Sequence, residues 1–538
     1  CMKRIAQTRS FTSLIDSDCI YIDKTKEISS LLMHERVFIS RPRRFGKSLL
    51  LDTIGTLFEY GTEPYFHGTW IYDKWKEKKY PVLRISFLRF SCTDYGNFCR
   101  DFDRCIAGFA RLHGIDYVSQ DRPASSMSEL FDLLEINKVK IVILIDEYDA
   151  QLAANINNPE LYECFRTAIR EFYCVIKDEL LIKFIGITGV TRLKDVSVFS
   201  VGSDIHDASY DAAVATITGL TGQQIRQYYA ASIDLAVSLE KGIAEENVTE
   251  EQREELLGRL AENYNGYCFD ETNTAKVFST WSVSSFFFDL YRKRFVCFGE
   301  YWYENGGRPT ILLNYLKSHK FDISSYNDCI YADSDDFLNP SSLLNMDQTV
   351  LMCQTGYLTL NSRLGGFNDF KVCLKIPNNE VRKALARVFS SSVFSSYIRD
   401  NPDYRSIFRK ADAGTVVSEL NGLFNSISYE KYPVKNEKAV QSYMHVFMMG
   451  GNLPVRTEVQ SASGRADIVL EYGSRRLVLE LKYAETDAEC EKKLHEAIEQ
   501  IKDRKYGSTL PEKPVMKLAL VFNGDSSVRQ FTHWAEVK

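Results

Sequence analysis

The stretch Val37–Ile54, VFISRPRRFGKSLLLDTI, changes periodicity halfway along. Val37–Ser40 is a short apolar run of strand character, and the residues from Lys47 onward are spaced for a helix. Gly46-Lys47-Ser48 therefore falls between a strand and a helix, where a phosphate-binding loop belongs. Backbone N–H groups at the helix start would face the phosphates. Lys47 would reach the β- and γ-phosphates, and the Ser48 hydroxyl would ligate Mg²⁺. Arg41 stands where the general G-x-x-x-x-G-K-[ST] pattern has its first glycine.

Working outward, further strand candidates are 81–87, 140–147 and 182–189, with the first at 36–40. Helix-length segments lie between them, at Lys47–Tyr60, Tyr95–His113 and Pro159–Lys177. Short apolar strands alternating with helices predict a parallel α/β sheet covered on both faces. IVILIDEYDA (141–150) ends its strand in Asp146-Glu147, at the carboxyl edge where open α/β sheets bind ligands. Asp146 would hold Mg²⁺, mainly through water, and Glu147 would orient an attacking water. Thr188, ending IGITG, would lie between the two motifs, and Arg192 would neutralise phosphate charge. A plain loop threonine and a surface arginine are the competing readings of that last pair.

The 538 residues are 45% hydrophobic and 26% charged, with a net charge of -6. That length exceeds a single core, and the composition is globular rather than disordered. The acidic balance excludes a broadly cationic surface, so any nucleic acid would be met by local patches. Candidates are Arg41, Arg43 and Arg44; Arg475 and Arg476; and Lys492, Lys493, Lys502, Arg504 and Lys505. The 13 cysteines show no zinc spacing or C-x-x-C pair, which suits a reducing cytosol. No secretory signal and no membrane-length apolar run is visible, so the expected location is cytoplasmic. Composition shifts divide the chain into 1–205, 206–325 (mostly helical), 326–427 (mixed α/β) and 428–538.

The last segment contains GRADIVLEYGSRRLVLELKY (464–483). With Gly473-Ser474 as a two-residue turn, Tyr472 pairs with Arg475, Val469 with Val478, and Asp467 with Glu480. Ile468, Leu470, Leu477, Leu479 and Leu481 then share an apolar face, with Asp467, Val469, Val478, Glu480 and Lys482 on the other. Two opposed carboxylates cost roughly 0.2–1 kcal/mol on exposed sheet, and more when buried. A divalent cation between Asp467 and Glu480 would offset that repulsion. Lys482 would lie beside it, placed to stabilise a phosphorane or position a water. Glu437, in the first turn of an amphipathic helix, would add a third carboxylate, and Glu458 is its rival. Thr486-x-x-Glu489 reads as a capping box opening a helix towards Tyr506, with Gln500 near the edge of its apolar stripe.

YIDKTKEI, SRPRRFGKS, LIDEYDAQL, ITGVTRL, YNGYCFD and QTGYLTL together resemble the motifs of prokaryotic AAA-ATPase-like proteins with a C-terminal PD-(D/E)XK nuclease-like domain. The resemblance runs from about residue 3 to 525. In that family RPRRFGK[ST] normally lacks the first glycine, which carries Arg43, Arg44, Phe45, Gly46, Lys47 and Ser48 into the nucleotide-binding loop. GRADIVL…LVLELK…EQIKDRKY resembles the nuclease-like module. On it Asp467, Glu480 and Lys482 fall on the metal-and-catalysis signature, Glu437 on the helix acid, and Gln500 on the polar residue of the following helix. Ala466 replaces the proline of the motif name, which the chemistry does not require.

The implied fold is α/β: a P-loop NTPase parallel-sheet domain (1–205), a helical lid (206–325), a mixed connecting region (326–427) and a restriction-endonuclease-like α/β domain (428–538). The implied activity is an ATPase controlling a metal-dependent nuclease. Its cofactors would be ATP and Mg²⁺, with Mn²⁺ accepted at the nuclease site. The expected partner is nucleic acid, DNA ahead of RNA, with no membrane and with self-assembly as for other AAA-like ATPases. Defence or mobile-element biology is the setting such an architecture suggests. The alternative is a nucleotide-switched scaffold or nucleic-acid-binding protein with an inactive nuclease fold.

Overall fold

The computed structural model describes residues 4–5, 8–177, 179–193, 204–304, 329–340, 342–364, 370–401, 403–461, 464–472, 475–503 and 514–537. They fall into two compact units, with Ile330–Glu380 joining the described residues up to 304 in the first, and the second continuing from Val381.

Five strands form the sheet of the first unit: β1 (Arg36–Ser40), β2 (Val82–Ser86), β3 (Ile141–Asp146), β4 (Ile182–Gly189) and β5 (His206–Asp207). The order is β2-β3-β4-β1-β5 and every pairing is parallel. β3 is buried from Ile141 to Ile145, as a strand covered on both faces must be. β4 lies between β1 and β3, so its end meets the ends of both. The helix Lys47–Tyr60 has no side-chain N-cap; Gly46 holds that position at φ 91°. Its first N–H groups are thus left for another acceptor.

Downstream, Gly222–Tyr228 and Glu250–Tyr264 begin with capping boxes built from Thr221 with Gln224 and Thr249 with Gln252. β6 (Ile330–Asp333), β7 (Thr359–Leu360) and β8 (Lys371–Lys375) form a small antiparallel sheet ordered β6-β8-β7. Of the apolar-rich TGYLTLNS (355–362), only Thr359 and Leu360 are strand, as β7. Gly356, at φ 94°, ends the preceding helix and passes so close to the loop between β1 and Lys47 that a Cβ would lie 2.7 Å from that of Pro42.

The second unit has a sheet of order β13-β12-β11-β10-β9. Its strands are β9 (Val455–Ser461), β10 (Gly464–Tyr472), β11 (Arg475–Ala484), β12 (Val515–Asn523) and β13 (Gln530–Glu536). β11 and β12 are parallel, as the helix Asp487–Asp503 between them allows, and the other pairs are antiparallel. Val469 and Val478 pack with Ala497 and Ile501 of that helix, which fixes which face of the hairpin it covers. The register is the one read from the sequence, from Tyr472↔Arg475 to Ile468↔Leu479. The turn residues Gly473 and Ser474 lie outside the described residues. No helix among the described residues is long and apolar enough to cross a membrane.

Candidate active sites

Gly46 needs glycine for its backbone rather than for space, since nothing lies within 4 Å of where a Cβ would be. Arg44 also has a positive φ, 71°. Lys47 is 5% exposed, and its Nζ donates to the carbonyls of Arg41 (2.8 Å) and Pro42 (2.9 Å). Burial lowers its pKa, against the opposing pull of Glu147 and Asp146. A polyphosphate would replace these two neutral carbonyls with anionic acceptors, which hold an ammonium more strongly.

Asp146 is held from two directions. Ser48 Oγ donates to its Oδ2 at 2.6 Å and Thr188 Oγ1 to its Oδ1 at 2.7 Å. A serine hydroxyl paired with a carboxylate at a helix start fits the hard oxygen set of Mg²⁺. Glu147 follows at φ 54°, a sparsely populated conformation outside glycine. Burial raises its carboxyl pKa, while Lys47 pulls it down. Arg192 sits elsewhere: its Nε and Nη2 bind Asp207 Oδ2 at 2.7 and 2.5 Å, and it does not line the cleft described next.

The loop opens into a cleft of about 470 Å³. Arg9, Lys24, Arg43, Arg44 and Lys47 line it against a single carboxylate, Glu147, and its apolar wall includes Ile20, Ile22, Ile217 and Trp281. Phosphates on the cationic side and an apolar ring on the other suit a nucleotide. The Arg44 guanidinium lies 4.2 Å over the Trp281 ring. Phe45 points inward, edge-on to Tyr267 and Phe269.

Several contributors were not singled out from the sequence. Lys24 Nζ donates to Thr216 O (2.6 Å) and Gln224 Oε1 (2.7 Å), and burial brings its pKa down to about 8. Asp149, 2% exposed, accepts from Val190 N (3.2 Å), Thr191 N (2.7 Å) and Thr191 Oγ1 (2.5 Å), clamping the segment after Thr188. Arg41 is 1% exposed and is no part of a nucleic-acid surface. It donates to Ser40 O, Ser209 O and Thr218 Oγ1 and lies 4.2 Å over the Phe269 ring. YIDKTKEI contains Lys24, but nothing in its local pattern marks a cleft residue.

In the second unit, Glu480 is 1% exposed and Lys482 9%. Lys482 Nζ lies 3.5 Å from Glu437 Oε1 and 3.8 Å from Glu480 Oε1, and donates to Leu481 O at 3.0 Å. Burial raises the Glu437 pKa, with Lys482 opposing. The ladder stops at Ile468↔Leu479; one step further, Asp467 Oδ2 accepts from Leu481 N at 2.7 Å. The repulsion expected between Asp467 and Glu480 is thus met by a backbone donor on one carboxylate and an ammonium beside the other. Two acids on one face with a lysine beside them still fit a Mg²⁺ that keeps several waters. Gln500 Oε1 is buried without a hydrogen-bond partner.

Glu489 Oε2 accepts from Glu485 N at 3.0 Å, one residue before the position a Thr486 capping box requires. The side chain of Glu458 lies outside the described residues, as do Arg504 and Lys505. Arg475 and Arg476 are spent internally: Arg475 donates to Ala411 O, and Arg476 Nη2 meets Glu471 at 2.7 Å. Lys493 and Lys502 pair with Glu496 and Glu499.

Residues 6–199 match the model of the AAA-ATPase-like family, described as "Predicted AAA-ATPase". Residues 435–532 match that of the PD-(D/E)XK nuclease superfamily. The chain is also similar to an "Uncharacterized protein in vnfD 5'region" of Azotobacter chroococcum mcd 1, at 27% identity over 534 residues, covering 95% of this chain and 94% of the relative. The Gly46-Lys47-Ser48 loop with β1–β4 falls within the first matched span, and the acid–lysine hairpin with β9 and β12 within the second: this chain joins an AAA-ATPase-like domain to a PD-(D/E)XK nuclease superfamily domain.

Proposed function

We propose that this protein binds and hydrolyses ATP and that its nucleotide state controls a Mg²⁺-dependent nuclease acting on nucleic acid, DNA in preference to RNA. The observation that carries the reading is the buried lysine set between two acids, Lys482 with Glu437 and Glu480, in a chain that also keeps Ser48 and Thr188 on Asp146. Lys47 would bind the β- and γ-phosphates, Arg43 and Arg44 would neutralise them, and Glu147 would orient the attacking water. Ser48 and Asp146 would hold the nucleotide's Mg²⁺.

In the hairpin, Asp467 and Glu480 would hold a divalent cation, Mg²⁺ or Mn²⁺. When bound, it supplies charge neutralisation and an acidified water. Lys482 would place its ammonium where negative charge develops on the phosphorus oxygens. Glu437 keeps that ammonium in place, and Gln500 offers an unpaired acceptor for a water. A cytoplasmic self-assembling ATPase in defence or mobile-element biology is the setting we infer.

The test is to incubate the purified protein with linear DNA, plasmid DNA and RNA, with Mg²⁺ or Mn²⁺, with and without ATP, beside Lys482→Ala and Lys47→Ala. Metal-dependent cleavage lost in Lys482→Ala and no longer ATP-responsive in Lys47→Ala is expected. Cleavage that survives Lys482→Ala refutes the site, and nucleic-acid binding without cleavage favours the scaffold.

A further inference from the structure

We propose that Asp487, Cys490 and His533 form a second metal site, of the zinc class, that fastens the start of the helix Asp487–Asp503 to β13. A carboxylate oxygen, the sulfur and an imidazole nitrogen from these residues lie within 4.8 Å of one another, the one such trio among the described residues. Asp487 and Cys490 are three apart on the helix and so share a face. His533 arrives from the last strand of the sheet.

The surroundings hold these groups in place. Asn523, fully buried, donates from Nδ2 to Asp487 Oδ1 at 3.1 Å. Glu491, one turn beyond Asp487, puts Oε2 3.9 Å from His533 Nε2. That separation is an electrostatic contact, beyond hydrogen-bond reach. Thr532 Oγ1 lies 3.0 Å from His533 Nδ1 and 3.8 Å from Cys490 Sγ, so the hydroxyl sits where the donors converge.

A sulfur, a nitrogen and an oxygen select Zn²⁺ or Co²⁺ over Mg²⁺, which takes oxygen alone. Bonds of about 2.0–2.3 Å put tetrahedral ligand atoms about 3.3–3.8 Å apart. The trio therefore needs only a small contraction to close on an ion, with the fourth position left to water. None of its members belongs to the Asp467–Glu480–Lys482 group. The competing arrangement is metal-free, with Cys490 Sγ donating to Thr486 O at 3.6 Å and Asp487 serving only Asn523.

The full-length protein, stripped of metal, is titrated with Co²⁺ and followed by absorption, then back-titrated with Zn²⁺ and with Mg²⁺. The expected result is a sulfur-to-cobalt charge-transfer band saturating near one equivalent, displaced by Zn²⁺ and untouched by Mg²⁺. Cys490→Ser removes the band, His533→Gln weakens Co²⁺ binding about tenfold or more, and Asp467→Asn leaves both unchanged. No thiolate band in the wild type, a band that persists in Cys490→Ser, or one lost in Asp467→Asn overturns the proposal. Should Cys490→Ser lose its near-ultraviolet circular dichroism, the partly exposed His533 decides: unchanged Co²⁺ affinity in His533→Gln is equally fatal.

Discussion

Glu380 offers the strongest quantitative test of the first unit. It is 2% exposed, and its oxygens accept from Trp302 N at 2.8 Å and Ser282 Oγ at 2.7 Å. Burial is the largest influence on its carboxyl and raises the pKa from 4.5 to about 8, with Glu300 adding to the shift. A carboxyl whose pKa is higher folded than unfolded favours folding while it stays protonated. Stability is therefore highest below pH 4.5 for this group, and falls as pH rises from 4.5 to about 8. At about 1.4 kcal/mol per unit, the loss reaches about 3 kcal/mol at pH 7 and about 5 kcal/mol above pH 8. Glu380→Gln keeps a neutral side chain of the same shape. Its NH₂ can donate to Ser282 Oγ, which in turn can donate to Ser279 Oγ, 3.0 Å away.

The variant should match the wild type within about 1 kcal/mol at pH 5 and exceed it by about 3 at pH 7 and about 5 at pH 9. Urea titration followed by tryptophan fluorescence reads this directly. Trp70, Trp75, Trp281 and Trp302 all lie in the first unit, so the signal reports mainly its unfolding. A stability difference that does not grow between pH 5 and pH 8, or a variant less stable at pH 8, refutes the reasoning. Trp302 also donates from Nε1 to Arg43 O at 3.1 Å, which ties the same buried carboxyl to the phosphate loop.

Asp149→Ala strands the N–H groups of Val190 and Thr191 and should cost about 2–6 kcal/mol, at about 1–3 kcal/mol per buried orphan, read by the same urea titration. Lys47→Ala should weaken ATP binding or turnover by about 10²-fold or more with the melting curve of the free protein little changed, measured by calorimetry and phosphate release. Removing divalent cations with a chelator should abolish nucleic-acid cleavage, and Mg²⁺ or Mn²⁺ should restore it in the wild type but not in Asp467→Asn.

What could be read from the sequence was set by chain-local chemistry. β1 and β4 have the bounds expected from their apolar runs, because strands buried on both faces read as near-continuous apolar segments. The hairpin register followed from counting outward from Gly473-Ser474 as a two-residue turn. Asp467 binding Leu481 N could not be foreseen, because period two places a carboxylate on a face without saying that it will replace a ladder bond. The cleft's Arg9, Lys24 and Trp281 are brought together from segments up to about 270 residues apart, and only the folded sheet sets that distance. The small β6-β8-β7 sheet belongs with the first unit through contacts such as Gly356 on Pro42, which no local pattern announces.

The missing first glycine is offset by other residues of the same loop. A glycine at that position would lend the loop conformational freedom at an entropic cost. Here the freedom is moved to Arg44 and Gly46, the two loop residues with positive φ, and Pro42 stiffens the entry. Arg41 contributes what glycine cannot: three donated hydrogen bonds and a contact with Phe269 that tie the loop's first residue to the segments around Ser209 and Thr218. Burial lowers its pKa to about 10, which still leaves it charged at neutral pH. Its carbonyl, with that of Pro42, holds Lys47 in the position from which a phosphate would take it. The loop is thus pre-shaped by a buried cation rather than by flexibility, which would leave less ordering for the proposed polyphosphate ligand to impose.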